Sequence, residues 1–166
     1  MIYEPREDSY MFKQYLEGLD LEGNKALDMG TGSGILAETM LKQGADVTAV
    51  DINPEASKEI PDEVDFIESD LFENVEGKFD LIVFNPPYLP GKEEIEGSET
   101  WKGGEEGTEI TEEFMKQASD HLEEGGKIIT MFSSLSDHHD LIDIHDLEII
   151  RSEKLSFEEL YLVLKE

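Results

Sequence analysis

Three glycines at alternate positions, Gly30, Gly32 and Gly34, follow a short apolar stretch and precede an amphipathic one. Few folds accept that order. Lys25–Met29 reads as a strand. Ile35 to Gln43 reads as a helix, with Ile35, Leu36, Met40 and Leu41 on its apolar face and Gly44 as its stop. In such a strand–turn–helix unit the glycines let the backbone approach a ligand closely, and the helix N-terminus offers unpaired N–H groups. Two familiar versions of the unit are disfavoured. Ile35 stands where the third glycine of a dinucleotide fingerprint belongs, and no Gly-Lys-Ser/Thr follows as in a phosphate-binding loop. What remains is Asp28-x-Gly30-x-Gly32-x-Gly34, a nucleotide cradle headed by a carboxylate.

The chain continues as alternating strands and helices, the signature of an α/β protein. Val47–Val50 forms a second strand, and Asp51 at its end suits the hydroxyls of a ribose. Pro54 opens a short helix, Glu55–Ile60, which Pro61 ends. Val64–Ile67 is a third strand leading to Ser69-Asp70-Leu71-Phe72, where Asp70 could accept the exocyclic amine of an adenine. Phe79–Phe84 is apolar enough to be a strand buried on both faces. Pro86 and Pro87 stop it, because proline has no N–H to donate and fixes φ. The Asn85 side chain and the Pro86 carbonyl then stand as two rigid acceptors at the carboxyl end of a strand, where open α/β sheets bind ligands. Two such acceptors can take both hydrogens of a planar NH2 group, with Tyr88 lying against its plane.

Around this centre lie further elements. Residues 8–17 form an N-terminal helix that Ser9 or Asp8 could cap. A long loop runs to about Gly107 and carries Trp101, Gly103 and Gly104; loops of that length in compact domains are usually functional. A helix bearing Ile110, Phe114, Met115, Ala118 and Leu122 closes at Gly125-Gly126. A fifth strand spans Lys127–Phe132 and a helix Ser133–Ile144. Strands at about 147–154 and 159–164 are expected as an antiparallel pair at one edge. With no repeat and no linker, residues 1–166 read as one domain.

Composition narrows the function. Asp and Glu number 41 against 13 Lys and Arg, a formal charge of −28. The acids are spread between regular apolar positions, so they do not form a disordered tail. Such self-repulsion is relieved at high ionic strength, which points to a high-salt cytoplasm. Tight binding to a phosphate backbone needs clustered Lys and Arg, so nucleic acid is not an expected partner. No apolar run approaches a membrane span, the N-terminus has no signal-peptide pattern, and a cytoplasmic location follows as the expectation. There are no cysteines, which removes thiolate metal sites; His138 and His139 are expected on a solvated helix, with no metal.

Taken together, Asp28-Met-Gly30-Thr-Gly32-Ser-Gly34, Asp51-Ile-Asn-Pro54, Asp70-Leu71-Phe72 and Asn85-Pro86-Pro87-Tyr88 resemble class-I methyltransferases that use S-adenosylmethionine and methylate a planar nitrogen. Tyr3-Glu4-Pro5-Arg-Glu7-Asp8-Ser9 and Trp101-Lys-Gly103-Gly104-Glu-Glu-Gly107 make the resemblance closer to the HemK-type glutamine methyltransferases, in the archaeal and eukaryotic branch acting on class-I translation release factors. The resemblance implies a Rossmann-like, seven-stranded, mostly parallel sheet with helices on both faces. It implies that the cofactor lies over the turn of Gly30, Gly32 and Gly34, with Asp28 and Gly30, helped by Ser9, holding its methionine end, Asp51 its ribose, and Asp70 and Leu71 its adenine. Asn85, Pro86, Pro87 and Tyr88 would hold the glutamine of a Gly-Gly-Gln loop, with Asn85 also beside the cofactor. The resemblance also implies a small zinc-ribbon activator. Because the family's third strand lies at a sheet edge, the activator is expected to pair with residues 64–67 by strand addition, near Phe66 and Ile67. The alternative is a monomer whose acidic edge, with Asp65 and Glu68, is protection enough. The sequence departs from bacterial members in having no counterpart of their N-terminal helical domain, and in a short connection between the second and third strands. An adenine amino-methyltransferase, a lysine methyltransferase and an inactive cofactor-binding scaffold are the competing readings.

Overall fold

The computed structural model of the chain describes residues 2, 4–86, 108–136 and 138–166. Its centre is a seven-stranded sheet of β1 (Lys25–Met29), β2 (Asp46–Asp51), β3 (Asp65–Glu68), β4 (Phe79–Phe84), β5 (Leu122–Ser133), β6 (Glu148–Lys154) and β7 (Glu159–Lys165). The strand order is β3-β2-β1-β4-β5-β7-β6. The first five run parallel, and β7 runs antiparallel to both its neighbours, β5 and β6. The expected antiparallel pair is therefore present, with β7 inserted between β5 and the outer strand β6.

Successive side chains of a strand point to opposite faces, and the apolar run of β4 feeds two cores accordingly. Leu81 and Val83 join Ala26, Val47, Ile129 and Leu162 on the face covered by α1 (Glu7–Glu17) and α2 (Ile35–Lys42). Ile82 and Phe84 join Leu27, Met29, Ile128 and Val163 on the face covered by α3 (Glu109–Ala118), with Leu141 of α4 (His139–His145). Burial on both faces is why β1, β2 and β4 read as near-continuous apolar runs.

Several local expectations are corrected. Neither Asp8 nor Ser9 caps α1: Arg6 is the capping position and makes no side-chain cap bond, while Asp8 and Ser9 are buried inside the first turn. The segment after Pro54 is a 3-10 turn, Pro54–Lys58, capped by the Asn53 side chain accepting from the Glu55 N–H. Leu122 is not on α3. The helix stops at Ala118, a 3-10 turn covers Ser119–His121, and Leu122 opens β5. Gly125 and Gly126 lie within that strand, beside the register shift between Phe79 and Leu81; there the glycines accommodate a bulge. Ser133 is still in β5, paired with Leu160, so the helix expected from Ser133 begins only at His139. His138 is not solvated: it is 4% exposed and stacks on Phe132 at 5.2 Å and on His139 at 4.8 Å.

Candidate functional site

The strand order reverses direction between β1 and β4. At such a switch point the connections leave on opposite sides of the sheet and open a crevice at the carboxyl ends of the strands. The glycine turn follows β1 there, and Asn85 follows β4.

The turn is held from both sides. The Thr31 N–H donates to the Val50 carbonyl at 2.9 Å and the Gly34 N–H to the Thr31 carbonyl at 2.8 Å. Gly30 and Gly34 have φ of 65° and 80°, a region costly for residues with a side chain. Space is also short: a Cβ on Gly34 would lie 2.9 Å from Ile60 Cγ2, and one on Gly30 3.2 Å from the Phe84 ring. The glycines thus serve close approach within the protein as well as the turn itself.

Asp51 joins the turn to β2. Its Oδ2 accepts from the Gly32 N–H at 2.8 Å and its Oδ1 from the Asn53 N–H at 2.9 Å. The next strand end is tied on by the Ser69 N–H, which donates to the Asp51 carbonyl at 3.0 Å. Asp70 is exposed and Leu71 partly buried. Leu71 has φ of 47°, an unusual backbone for a non-glycine residue and one that accumulates at binding sites.

Asp28 is buried under the turn. Its Oδ2 accepts from the Thr31 hydroxyl at 2.7 Å and the Ala37 N–H at 3.1 Å. Burial pushes its carboxyl up to about 7, against the two donors that stabilise the anion; the Asp51 charge adds to the rise. Because this pKa is raised above its unfolded value of 3.8, the resulting stability is fully present below that value and is lost as pH rises through 7. The Asp28→Asn variant removes the titration. We therefore expect the melting temperature of the wild-type protein, relative to this variant, to fall as pH rises from about 4 to about 7. The full span corresponds to roughly 4 kcal/mol. Parallel melting curves across that range would show that the burial of Asp28 does not cost what its environment dictates.

The end of β4 is pinned at one residue and oriented at the next. Thr130 donates its hydroxyl to the Phe84 carbonyl at 2.7 Å, and the Phe84 ring packs on Phe114 at 4.5 Å between centroids. Asn85 Nδ2 donates to Asp8 Oδ2 at 3.0 Å. Asn85 Oδ1 is shielded from solvent and has no hydrogen-bond partner among the described residues. Buried polar atoms are normally paired, which makes this oxygen a candidate acceptor for a substrate donor.

The structure brings Asp28, Gly30, Gly32, Gly34 and Asp51 into one bonded unit. Ser9 sits in the first turn of α1 beside Asp8, which reaches Asn85. Asp70 and Leu71 follow the neighbouring strand end, and Pro86 is buried beyond Asn85. Pro87, Tyr88, Trp101, Gly103, Gly104, Gly107 and Tyr3 lie outside the described residues. Among the described residues, no three His, Asp or Glu side chains converge as metal ligands, and no helix is long and apolar enough to cross a membrane. Sequence reasoning missed Asp8, although it adjoins Ser9 in a segment already singled out, and missed the supporting hydroxyls of Thr31 and Thr130.

Comparison with known proteins agrees with this geometry. Residues 9–154 match the family model described as Methyltransferase small domain. MJ0928 of Methanocaldococcus jannaschii, which carries protein N5-glutamine methyltransferase as a provisional name, is 36% identical, over 98% of this chain and 90% of its own. Methyltransferase HEMK2 of Mus musculus is 31% identical, over 75% of this chain and 68% of its own. Among solved structures, the E. cuniculi Mtq2–Trm112 complex, described as responsible for methylation of the termination factor eRF1, matches with a TM-score of 0.82 at 24% identity, covering 99% of this chain and 98% of that one. The T. thermophilus 16S rRNA N2 G1207 methyltransferase, solved with AdoMet and guanosine, matches with a TM-score of 0.71 at 19% identity, over 98% of this chain and 43% of that one.

Proposed function

Because the chain belongs to the methyltransferase small-domain family and, within it, to the HemK-type protein glutamine methyltransferases, we propose that it methylates the side-chain amide nitrogen of a glutamine in the Gly-Gly-Gln loop of a class-I translation release factor. The family's cofactor, S-adenosylmethionine, fits the residues present: a turn of left-handed glycines, with a carboxylate fixed at the end of β2. In this reading Ser9, Asp28 and the glycine turn take the methionine end of the cofactor. Asp51 takes the ribose hydroxyls through the lone pairs its backbone donors leave free. Asp70 and Leu71 take the adenine. One domain carries the whole site, in the cytoplasm.

The observation that carries the proposal is the buried Oδ1 of Asn85, which has no hydrogen-bond partner among the described residues. An amide nitrogen is a poor nucleophile because its lone pair is delocalised into the carbonyl. The bound cofactor supplies an electrophilic methyl group, so the protein's task is to position and polarise. Asn85 Oδ1 and the Pro86 carbonyl accept the two amide hydrogens and raise the electron density on nitrogen. Tyr88, which lies outside the described residues, is assigned to the face of the amide, and the proton leaves to water after transfer. Transfer of labelled methyl from S-adenosylmethionine to a release factor, lost when the factor's Gly-Gly-Gln glutamine is replaced by alanine, tests the proposal. Label that persists in the alanine factor, or appears in nucleic acid instead, would defeat it.

The proposal extends to a partner. β3 is one of the two edge strands, opposite β6, with Phe66 and Ile67 half-buried. A single 3-10 turn, Pro54–Lys58, precedes it as cover. Exposed edges invite strand pairing, and a small zinc-ribbon activator adding a strand along residues 64–67 would complete the sheet. Replacing Phe66 with aspartate should abolish the complex, read by co-purification, while the sheet remains folded. A fully active, monodisperse monomer purified alone would count against any such partner.

A further inference from the structure

Asn85 is oriented by a residue 77 positions away in the chain, Asp8, through a single bond from Nδ2 to Oδ2. Asp8 is a carboxylate only 3% exposed, in the first turn of α1. A helix start favours negative charge, and α1 is anchored to the sheet by Met11, Phe12 and Leu16, so the carboxylate is held rigidly. The two ends of an asparagine amide have nearly the same shape and opposite polarity. Rotation by half a turn would present an NH2 to the substrate and place Oδ1 against Asp8. A carboxylate accepts and cannot donate, so that arrangement sets two acceptors face to face. The bond seen is the one that leaves Oδ1 away from Asp8, buried and without a partner among the described residues.

We propose that Asp8 is a positioning residue that fixes the polarity of Asn85, so that the atom offered to the reacting nitrogen is always an acceptor. The inference rests on the reading of Asn85 as the group that meets the substrate amide. It gives the N-terminal segment a task separate from cofactor binding: α1 selects which end of a side chain on β4 does the work.

A double-variant cycle on the full chain tests this. Asp8→Ala should slow methyl transfer to the release factor at least ~10-fold, with the dissociation constant for S-adenosylhomocysteine changed less than about twofold. In an Asn85→Ala background the same substitution should have no further effect on the rate, because the group it orients is gone. Additive losses, or a full-rate Asp8→Ala enzyme, would overturn the proposal. Should Asp8→Ala not fold, the reversed pair Asp8→Asn with Asn85→Asp carries the test. It restores the bond with donor and acceptor exchanged and should transfer methyl at least ~10-fold faster than Asn85→Asp alone; parity between the two overturns the proposal. A further readout needs no turnover. In the cofactor-free wild type the Asn85 side-chain NH2 should show one strongly deshielded, slowly exchanging proton, lost in Asp8→Ala. An unmethylated release factor with the wild-type enzyme would sink the substrate reading instead, and that resonance would still decide whether Asp8 fixes Asn85.

Discussion

Replacing Asn85 with alanine is expected to lower the rate of methyl transfer at least ~100-fold, as for loss of one oriented polar group at a reacting centre, and to leave cofactor affinity nearly intact. The reasoning starts from the end of β4. Thr130 and Phe114 fix Phe84, so the backbone that presents residue 85 survives truncation of its side chain. What is lost is a buried acceptor that has no partner among the described residues. Asp51→Ala should behave in the opposite way, weakening the cofactor first, because that carboxylate stands on the glycine turn and beside the end of β3. Calorimetry with S-adenosylmethionine and single-turnover transfer separate the two effects. Full activity in Asn85→Ala would remove it from the mechanism, and normal cofactor binding by Asp51→Ala would move the ribose elsewhere.

The second large effect concerns salt. The melting temperature should rise steeply between low salt and molar KCl. A formal charge of −28 leaves most acids without a positive partner. The ion pairs among the described residues are surface contacts such as Lys13–Glu17, Lys42–Glu38 and Lys116–Glu112, each worth little. At 1 M salt the screening length falls to about 3 Å, and the repulsion across the surface collapses with it. For a chain of this size, relief of several kcal/mol would move the midpoint by on the order of 10 °C. Scanning calorimetry across a KCl series reads this directly. A salt-independent midpoint would remove the high-salt reading of the composition.

Much of this was legible before any coordinates. Lys25–Met29, the glycine turn and Ile35–Lys42 are set by local chemistry: apolar alternation, residues free to adopt positive φ, then a helical face. Phe79–Phe84 was equally plain, since the prolines after it allow no continuation of the strand. The failures share a cause. Leu122 fits a helical face by its spacing from Ala118, but pairing with Phe79 in the sheet claims it for β5. Ser133 reads as helical because no local signal shows that Leu160 pairs with it. His138 looked solvated because its sequence neighbours are polar, while the rings that bury it come from β5 and β7. Asp8 was misread in the same way, its partner being in another strand's loop. Local propensity cannot report contacts of that range, and the bond that gives Asp8 its meaning is one of them.

One feature of the second core bears on anyone who would redesign this pocket. Phe114 stacks on Phe72, at 5.7 Å, and lies tilted against Phe84, at 4.5 Å; the first ring directly follows Leu71 and the second directly precedes Asn85. A single aromatic side chain is therefore the common footing of two places that a designer would wish to vary separately. On the proposed assignment of Leu71 to the cofactor and Asn85 to the substrate, enlarging or trimming Phe114 is expected to alter donor preference and acceptor preference together. Independent tuning has to begin from the rims of the crevice, with the footing left as it is.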